Sequence, residues 1–173
     1  MYDTDVLIVG AGPTGLALAL ELALQSVSFR IVERSAARSD KSRALVVQPR
    51  TLELLNRHGD AGSQLVSKGT KATGAVIYVN KRQVADINLT DFGFTSTAFP
   101  QPLIISQAET EHFLEGRLEA YGHQIEKSVS AKEIHQDDGR ASVTIEREDG
   151  SLETIHAKYI VCQVNYDTSH HQC

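Results

Sequence analysis

Tryptophan is absent from this chain of 173 residues, and cysteine occurs only twice, as Cys162 and Cys173. Two thiols are too few for a disulfide scaffold, so the composition points to a reducing compartment. There is no run of lysine and arginine, and the formal net charge is −5. That balance argues against a nucleic-acid or anionic-membrane surface as partner. Long hydrophobic runs are missing too. The first apolar stretch, Val6 to Val9, is followed by glycines at 10, 12 and 15, and the leading "MYDTD" holds two acids and no basic region. Neither a signal peptide nor a membrane span is expected, and a cytoplasmic protein is. What is present is ordinary: 41% apolar and 23% charged residues, the composition of a globular domain able to bury roughly 70% of its unfolded surface.

Periodicity supplies the elements. Asp5 to Val9 is short and continuously apolar, as a buried strand is. Pro13 to Gln25 is dense in alanine and leucine and predicts a helix, with Pro13 in the first turn, where a missing N–H is harmless. Ser28 to Glu33 predicts a second strand, so the first 33 residues form one βαβ unit with a parallel strand pair. After a polar stretch from Arg34 to Gln48, a helix is expected over Pro49–His58, a strand over 74–80, a short strand over Leu103–Ser106 and a helix over Gln107–Tyr121 ended by Gly122. Arg50 and Glu53 on the first of these helices read as surface or packing residues. Residues 81–102 are irregular; Phe92, Phe94 and Phe99 there suit either a pocket wall or core packing. Alternation then takes over, with turns at Asp138–Gly139 and Asp149–Gly150. It predicts a three-stranded antiparallel meander, Val129–His135, Ala141–Arg147 and Leu152–Ala157, followed by a separate strand Tyr159–Val164.

The stretch "GAGPTG", Gly10 to Gly15, carries the chemistry. Gly10 lets the chain turn sharply off the strand, Gly12 offers a pyrophosphate no side-chain obstruction, and Gly15 lets the helix pack closely. The helix then directs free N–H groups and its positive dipole end at phosphates. Gly-x-Gly-x-x-Gly alone is a weak signal. Here it follows a strand, opens a helix, and has an acid, Glu33, 18 residues beyond Gly15 at the end of the second strand, where a carboxylate can bind ribose hydroxyls. Such a carboxylate favours a free 2′-hydroxyl and so FAD or NAD over NADP, with Arg34 next to it as the one group that could soften the repulsion of a 2′-phosphate. These residues do not separate FAD from NAD.

Three blocks in order, "DVLIVGAGPTGLALALELA", "VERSAARSDKSRALVVQPRTLELL" and "ISQAETEHFLEGRLEAYG", closely resemble the FAD-dependent aromatic hydroxylases, single-component flavoprotein monooxygenases of the phenol and p-hydroxybenzoate hydroxylase type. The likeness runs from residue 3 to about 161. It implies a Rossmann-like FAD-binding fold, α/β with a parallel sheet and an inserted antiparallel meander. It further implies that the loop Gly10, Ala11, Gly12, Pro13, Thr14 and Gly15 holds the FAD pyrophosphate and Glu33 the adenosine ribose, with Arg34 beside it. By the same likeness Arg43 reaches the phosphates and the flavin side, and Gln107 contacts the ribityl region. The rival readings are a solvated loop for Arg43 and a helix start for Ser106 and Gln107. The implied reaction inserts one oxygen atom of O₂ into a small aromatic substrate, with NADPH as reductant.

The resemblance breaks at the C-terminal end. The family continues from a strand like Tyr159–Val161 into Gly-x-Asp-Gly, whereas this chain reads "CQVNYDTSHHQC", and Asp167 has no glycine after it. The expectation is a partial FAD-binding domain over 1–161, incomplete at its C-terminus, with an atypical, disordered tail over 162–173. Weak FAD retention and little turnover would follow. A nucleotide-binding remnant without catalysis and an NAD-dependent oxidoreductase are the alternatives. Cys162, His170, His171 and Cys173 fit no standard metal site, and no metal is expected.

Overall fold

The computed structural model describes residues 2–37, 46–90, 96–137 and 140–163. In chain order its elements are β1 (Thr4–Val9), α1 (Pro13–Leu24), β2 (Phe29–Glu33), β3 (Val46–Val47), α2 (Pro49–Leu55), α3 (Ala61–Val66), β4 (Thr70–Lys71), β5 (Gly74–Val79), β6 (Arg82–Asn88), β7 (Leu103–Ile104), α4 (Gln107–Ala120), β8 (Glu126–Lys127), β9 (Val129–Asp137), β10 (Arg140–Arg147) and β11 (Leu152–Cys162). They divide into two compact units, one of residues 1–40 with 111–173 and one of residues 41–110.

The first unit is built on a mixed sheet of order β8-β2-β1-β11-β10-β9. The pairs β8·β2, β2·β1 and β1·β11 are parallel, and β11·β10 and β10·β9 are antiparallel. This is the expected α/β arrangement of a parallel sheet joined to a meander. Strand alternation sorts the side chains. Leu7 and Val32 fall on one face and cluster with Val129, Val143, Ile145, Ile155 and Ala157, all buried. Ile8 and Ile31, equally buried, fall on the other, and α1 buries Leu16, Ala19 and Leu20. Strands covered on both faces need continuous apolar runs, which is why β1 and β2 read as they do. Each of the buried leucine, isoleucine and valine side chains contributes about 1.5–3 kcal/mol from leaving water.

One expectation is corrected. The strand foreseen separately at Tyr159–Val164 is the second half of β11, which begins antiparallel to β10 and ends parallel to β1. Ala157 is the pivot, paired with Ala141 on one side and Thr4 on the other. No glycine or proline interrupts Ala157–Lys158–Tyr159, so the chain changes partner without turning. β11 runs to Cys162, and the Gln163 N–H donates to the Val9 carbonyl at 2.8 Å. Residues 164–173 of the expected tail, with His170, His171 and Cys173, lie outside the described residues.

An ion cluster ties four strands of this unit. The Arg30 guanidinium on β2 donates to both carboxylate oxygens of Glu126 on β8, at 2.7 and 2.8 Å, and to Glu153 on β11 at 2.6 Å. Arg147 on β10 donates to Glu153 at 2.6 Å and to Glu126 at 3.2 Å. The forked geometry suits bidentate pairing. Arg30 and then Arg147 hold the Glu153 carboxyl down at about 2, and Arg30 foremost holds Glu126 below the usual range.

In the second unit, β3, β7 and β4 form a small antiparallel sheet and β5 with β6 a hairpin. Leu52, Leu55, Ala61, Leu65, Phe99 and Leu103 are buried. α2 and α3 approach so closely that a methyl group on Gly62 would overlap the Leu52 carbonyl. The hairpin was not read from the sequence, because its turn is Asn80–Lys81 rather than an Asn-Gly pair. Both residues nevertheless have positive φ, 48° and 66°, as a tight hairpin turn demands. α4 starts on Ser106, whose Oγ accepts the Glu109 N–H at 3.1 Å. It ends in a Schellman motif: Gly122 has φ +83°, its N–H donates to Glu119, and the His123 N–H donates to Leu118. Among the described residues no helix is long and apolar enough to cross a membrane.

Two outcomes are expected. Gly116, exposed within α4, has open space where a Cβ would sit, so Gly116→Ala should raise the unfolding free energy by about 0.5–1 kcal/mol in urea titration; no gain would contradict the helix assignment. The ion cluster should make stability acid-sensitive. Its carboxyls are depressed when folded, so their contribution is complete above the usual glutamate value of 4.5 and is lost as pH falls towards about 2. Urea midpoints measured from pH 6 to pH 3 should fall, and Arg30→Gln should flatten that dependence; an unchanged slope in the variant would count against the cluster.

Candidate functional site

The glycine turn joins β1 to α1. Gly10 has φ +106°, a conformation that L side chains rarely adopt, and its N–H donates to the Val32 carbonyl at 2.8 Å. The chain thereby stays tied to the end of β2 as it leaves β1. A Cβ on Gly15 would overlap the Gly10 carbonyl oxygen. The close packing expected for Gly15 is therefore against the backbone of its own turn. Gly12 is the N-cap of α1 and makes no side-chain cap, and Pro13 follows as the first helical residue. The Leu16 N–H makes the first bond into the helix, to Gly12 at 3.0 Å. The N–H groups of Thr14 and Gly15 precede that bond and have no partner within the helix; such groups suit an anion, and that of Gly15 donates to a side chain just after β11.

Glu33 closes the site from the β2 side. Its Oε2 accepts the Ala11 N–H at 2.9 Å and its Oε1 the Ser35 N–H at 3.0 Å. A carboxylate has about four acceptor positions, so each oxygen keeps one for a further donor such as a ribose hydroxyl. The carboxylate thus has a structural task, fixing the loop to the strand end, and retains capacity for a ligand. Arg34 beside it is exposed.

A residue that sequence reasoning missed closes the loop from the opposite side. Gln163 follows β11, and its Oε1 accepts the Gly15 N–H at 3.2 Å. A Cβ placed on Gly12 would overlap the Gln163 amide nitrogen, and one on Gly10 would lie 3.1 Å from the Gln163 Cβ. The only sequence signal for this was the parallel pairing of the last apolar strand with the first, which brings its end to the glycine turn.

Gln107 is the first residue of α4 and belongs to the other unit, where Ser106 does the capping. Arg43 lies outside the described residues, as do Phe92 and Phe94. Phe99 is buried against Gly62. It also lines a cavity of about 190 Å³ with Ser63, Val66, Lys71 and Leu103, below the size of an ordinary small-molecule site. Arg50 and Glu53 form a surface ion pair at 2.9 Å. The residues around the loop fit the adenosine and pyrophosphate portion of a dinucleotide. A helix N-terminus, a glycine where phosphate must approach and a carboxylate with spare acceptor capacity are all in place. The one obstruction is the Gln163 side chain, a flexible group rather than backbone.

Comparison with known proteins agrees with this geometry. A family model described as "FAD binding domain" matches residues 3–162. The chain is 35% identical over 157 residues to the 6-methylpretetramide 4-monooxygenase of Streptomyces rimosus, covering 91% of this chain and 28% of that protein. It is 30% identical over 161 residues to the pentachlorophenol 4-monooxygenase of Sphingobium chlorophenolicum, covering 92% and 29%. Among solved structures, the anhydrotetracycline hydroxylase OxyS from Streptomyces rimosus superimposes with a TM-score of 0.78 at 31% identity, covering 92% of this chain and 31% of that one. The chain therefore spans about 30% of the length of the curated relatives it matches.

The packing at the turn can be tested directly. Gly15→Ala should lower the unfolding free energy by about 1–3 kcal/mol, because backbone and not a movable side chain must yield. An unaltered denaturation midpoint would show that the turn is looser than described.

Proposed function

The chain belongs to the FAD binding domain family, and from that premise we propose that it is the nucleotide-binding part of a flavin-dependent monooxygenase acting on small aromatic substrates. The observation that carries the reading is the glycine turn itself, which sets the N-terminus of α1 on one side and the Glu33 carboxylate, bonded to Ala11 at 2.9 Å, on the other. It is supported by relatives whose names describe monooxygenases of pentachlorophenol and of 6-methylpretetramide.

In this reading the backbone of Gly10 to Gly15 receives the FAD pyrophosphate and Glu33 the adenosine ribose. Arg43 and Gln107 serve the phosphates and the ribityl chain, within an FAD-binding domain over residues 1–161. Bound FAD would supply the redox chemistry, taking reducing equivalents from NADPH and reacting with O₂, while this chain's residues bind and orient it. Glu33 accepts hydrogen bonds and disfavours a 2′-phosphate in the same place. No nucleic-acid or membrane partner is part of this reading, given the net charge of −5, and a reducing, cytoplasmic setting is.

Calorimetry with ADP and with FAD tests the site. Glu33→Ala should weaken ADP binding about tenfold or more, the usual scale for losing hydrogen bonds to a charged acceptor. Adenosine 2′,5′-bisphosphate should bind more weakly than ADP to the unaltered chain. Equal affinity of ADP for the chain and the variant would remove Glu33 from the site.

A further inference from the structure

We propose that Gln163 is a built-in occupant of the phosphate cradle, and that a dinucleotide enters only when this side chain swings out. The proposal rests on the reading that the glycine turn binds FAD, and it adds a residue that sets how tightly the turn does so.

Backbone geometry fixes the residue in place. β11 pairs with β1 in parallel as far as Val9 and Cys162, and the next N–H, that of Gln163, donates to the Val9 carbonyl at 2.8 Å. The backbone of Gln163 is thus held beside the point where the chain leaves β1, and a Cβ added to Gly10 would lie only 3.1 Å from the Gln163 Cβ. From there the side chain extends across the turn. Its Nε2 fills the space over Gly12, and its Oε1 takes the Gly15 N–H at 3.2 Å. Both positions are those a pyrophosphate needs: the gap that a glycine leaves open, and a donor at the helix N-terminus. The amide carbonyl satisfies that donor as a phosphate oxygen would, but without charge.

The competition is soft. The hydrogen bond is long, partly exposed and neutral, whereas a phosphate brings full charge to the positive end of α1. The occupied arrangement therefore lowers the fraction of molecules ready to bind, and apparent affinity falls by the same fraction. A net hydrogen bond of ordinary strength corresponds to a reduction of about three- to tenfold.

The test uses the full chain with ADP, which carries the pyrophosphate without the flavin. Gln163→Ala keeps the backbone donor to Val9 and should tighten ADP about three- to tenfold by calorimetry, with far-UV circular dichroism confirming the fold. Gln163→Glu keeps the reach but adds a negative charge, and should weaken ADP instead. Opposite shifts in the two variants support the proposal. Unchanged ADP affinity in both, while Glu33→Ala still weakens binding, would overturn the occupant and leave the nucleotide site intact. ADP affinity indifferent to all three substitutions, or no ADP binding by any form, would overturn the site together with its occupant. Should Gln163→Ala fail to fold, Gln163→Ser serves in its place with the same expected direction.

Discussion

Between β1 and α1 the chain must reverse within a few residues while its backbone passes against itself. Gly10 supplies the positive φ, and the absent Cβ of Gly15 lets the Gly10 carbonyl lie where a methyl group would be. Two hydrogen bonds from the turn then reach β2, Gly10 N–H to the Val32 carbonyl and Ala11 N–H to the Glu33 carboxylate. Three elements meet at this point with no side chain between them. The same absence that permits the packing leaves the N-terminus of α1 without side-chain cover from its own turn.

Legibility followed locality. β1, α1 and β2 could be read to within about two residues because apolar runs, a proline and three glycines lie within 33 positions. The meander was legible through alternation and the turn at Asp149–Gly150; the turn expected at Asp138–Gly139 lies outside the described residues. β11 was divided in error because its partner changes at Ala157, and a change of partner leaves no mark in the sequence of the strand. α3 escaped notice for a different reason: six residues long, it is preceded by Asp60 in the left-handed region without a side-chain cap. β6 was lost with its glycine-free turn. Only for β11 is the deciding interaction tertiary; for α3 and β6 the backbone takes positive φ at residues other than glycine.

The site divides in the same way. Gly10, Gly12, Gly15 and Glu33 belong to one contiguous βαβ unit, and their spacing alone suggested a dinucleotide. Gln163 is 148 residues from the glycine whose N–H it accepts. Its relevance depends on the register between the first and last described strands, which the pattern of neither strand fixes.

The turn is therefore gripped from both sides by the strands that flank β1. From β2, a carboxylate accepts the Ala11 N–H and keeps acceptor positions facing outward; from β11, an amide accepts the Gly15 N–H. The two contacts resemble each other as hydrogen bonds and oppose each other as determinants of binding. Glu33 takes a donor that positions the loop and keeps lone pairs spare, so in the proposed function its bond and a ribose's would be compatible. Gln163 takes a donor at the helix N-terminus, so under the proposal its bond and a phosphate's would exclude each other. Because the backbone of Gln163 is held by the Val9 carbonyl, relief can come only from rotation of the side chain, not from withdrawal of the strand. A residue with no reach at this position would leave the cradle open, and the identity of this one side chain decides how much of the helix terminus a phosphate finds available.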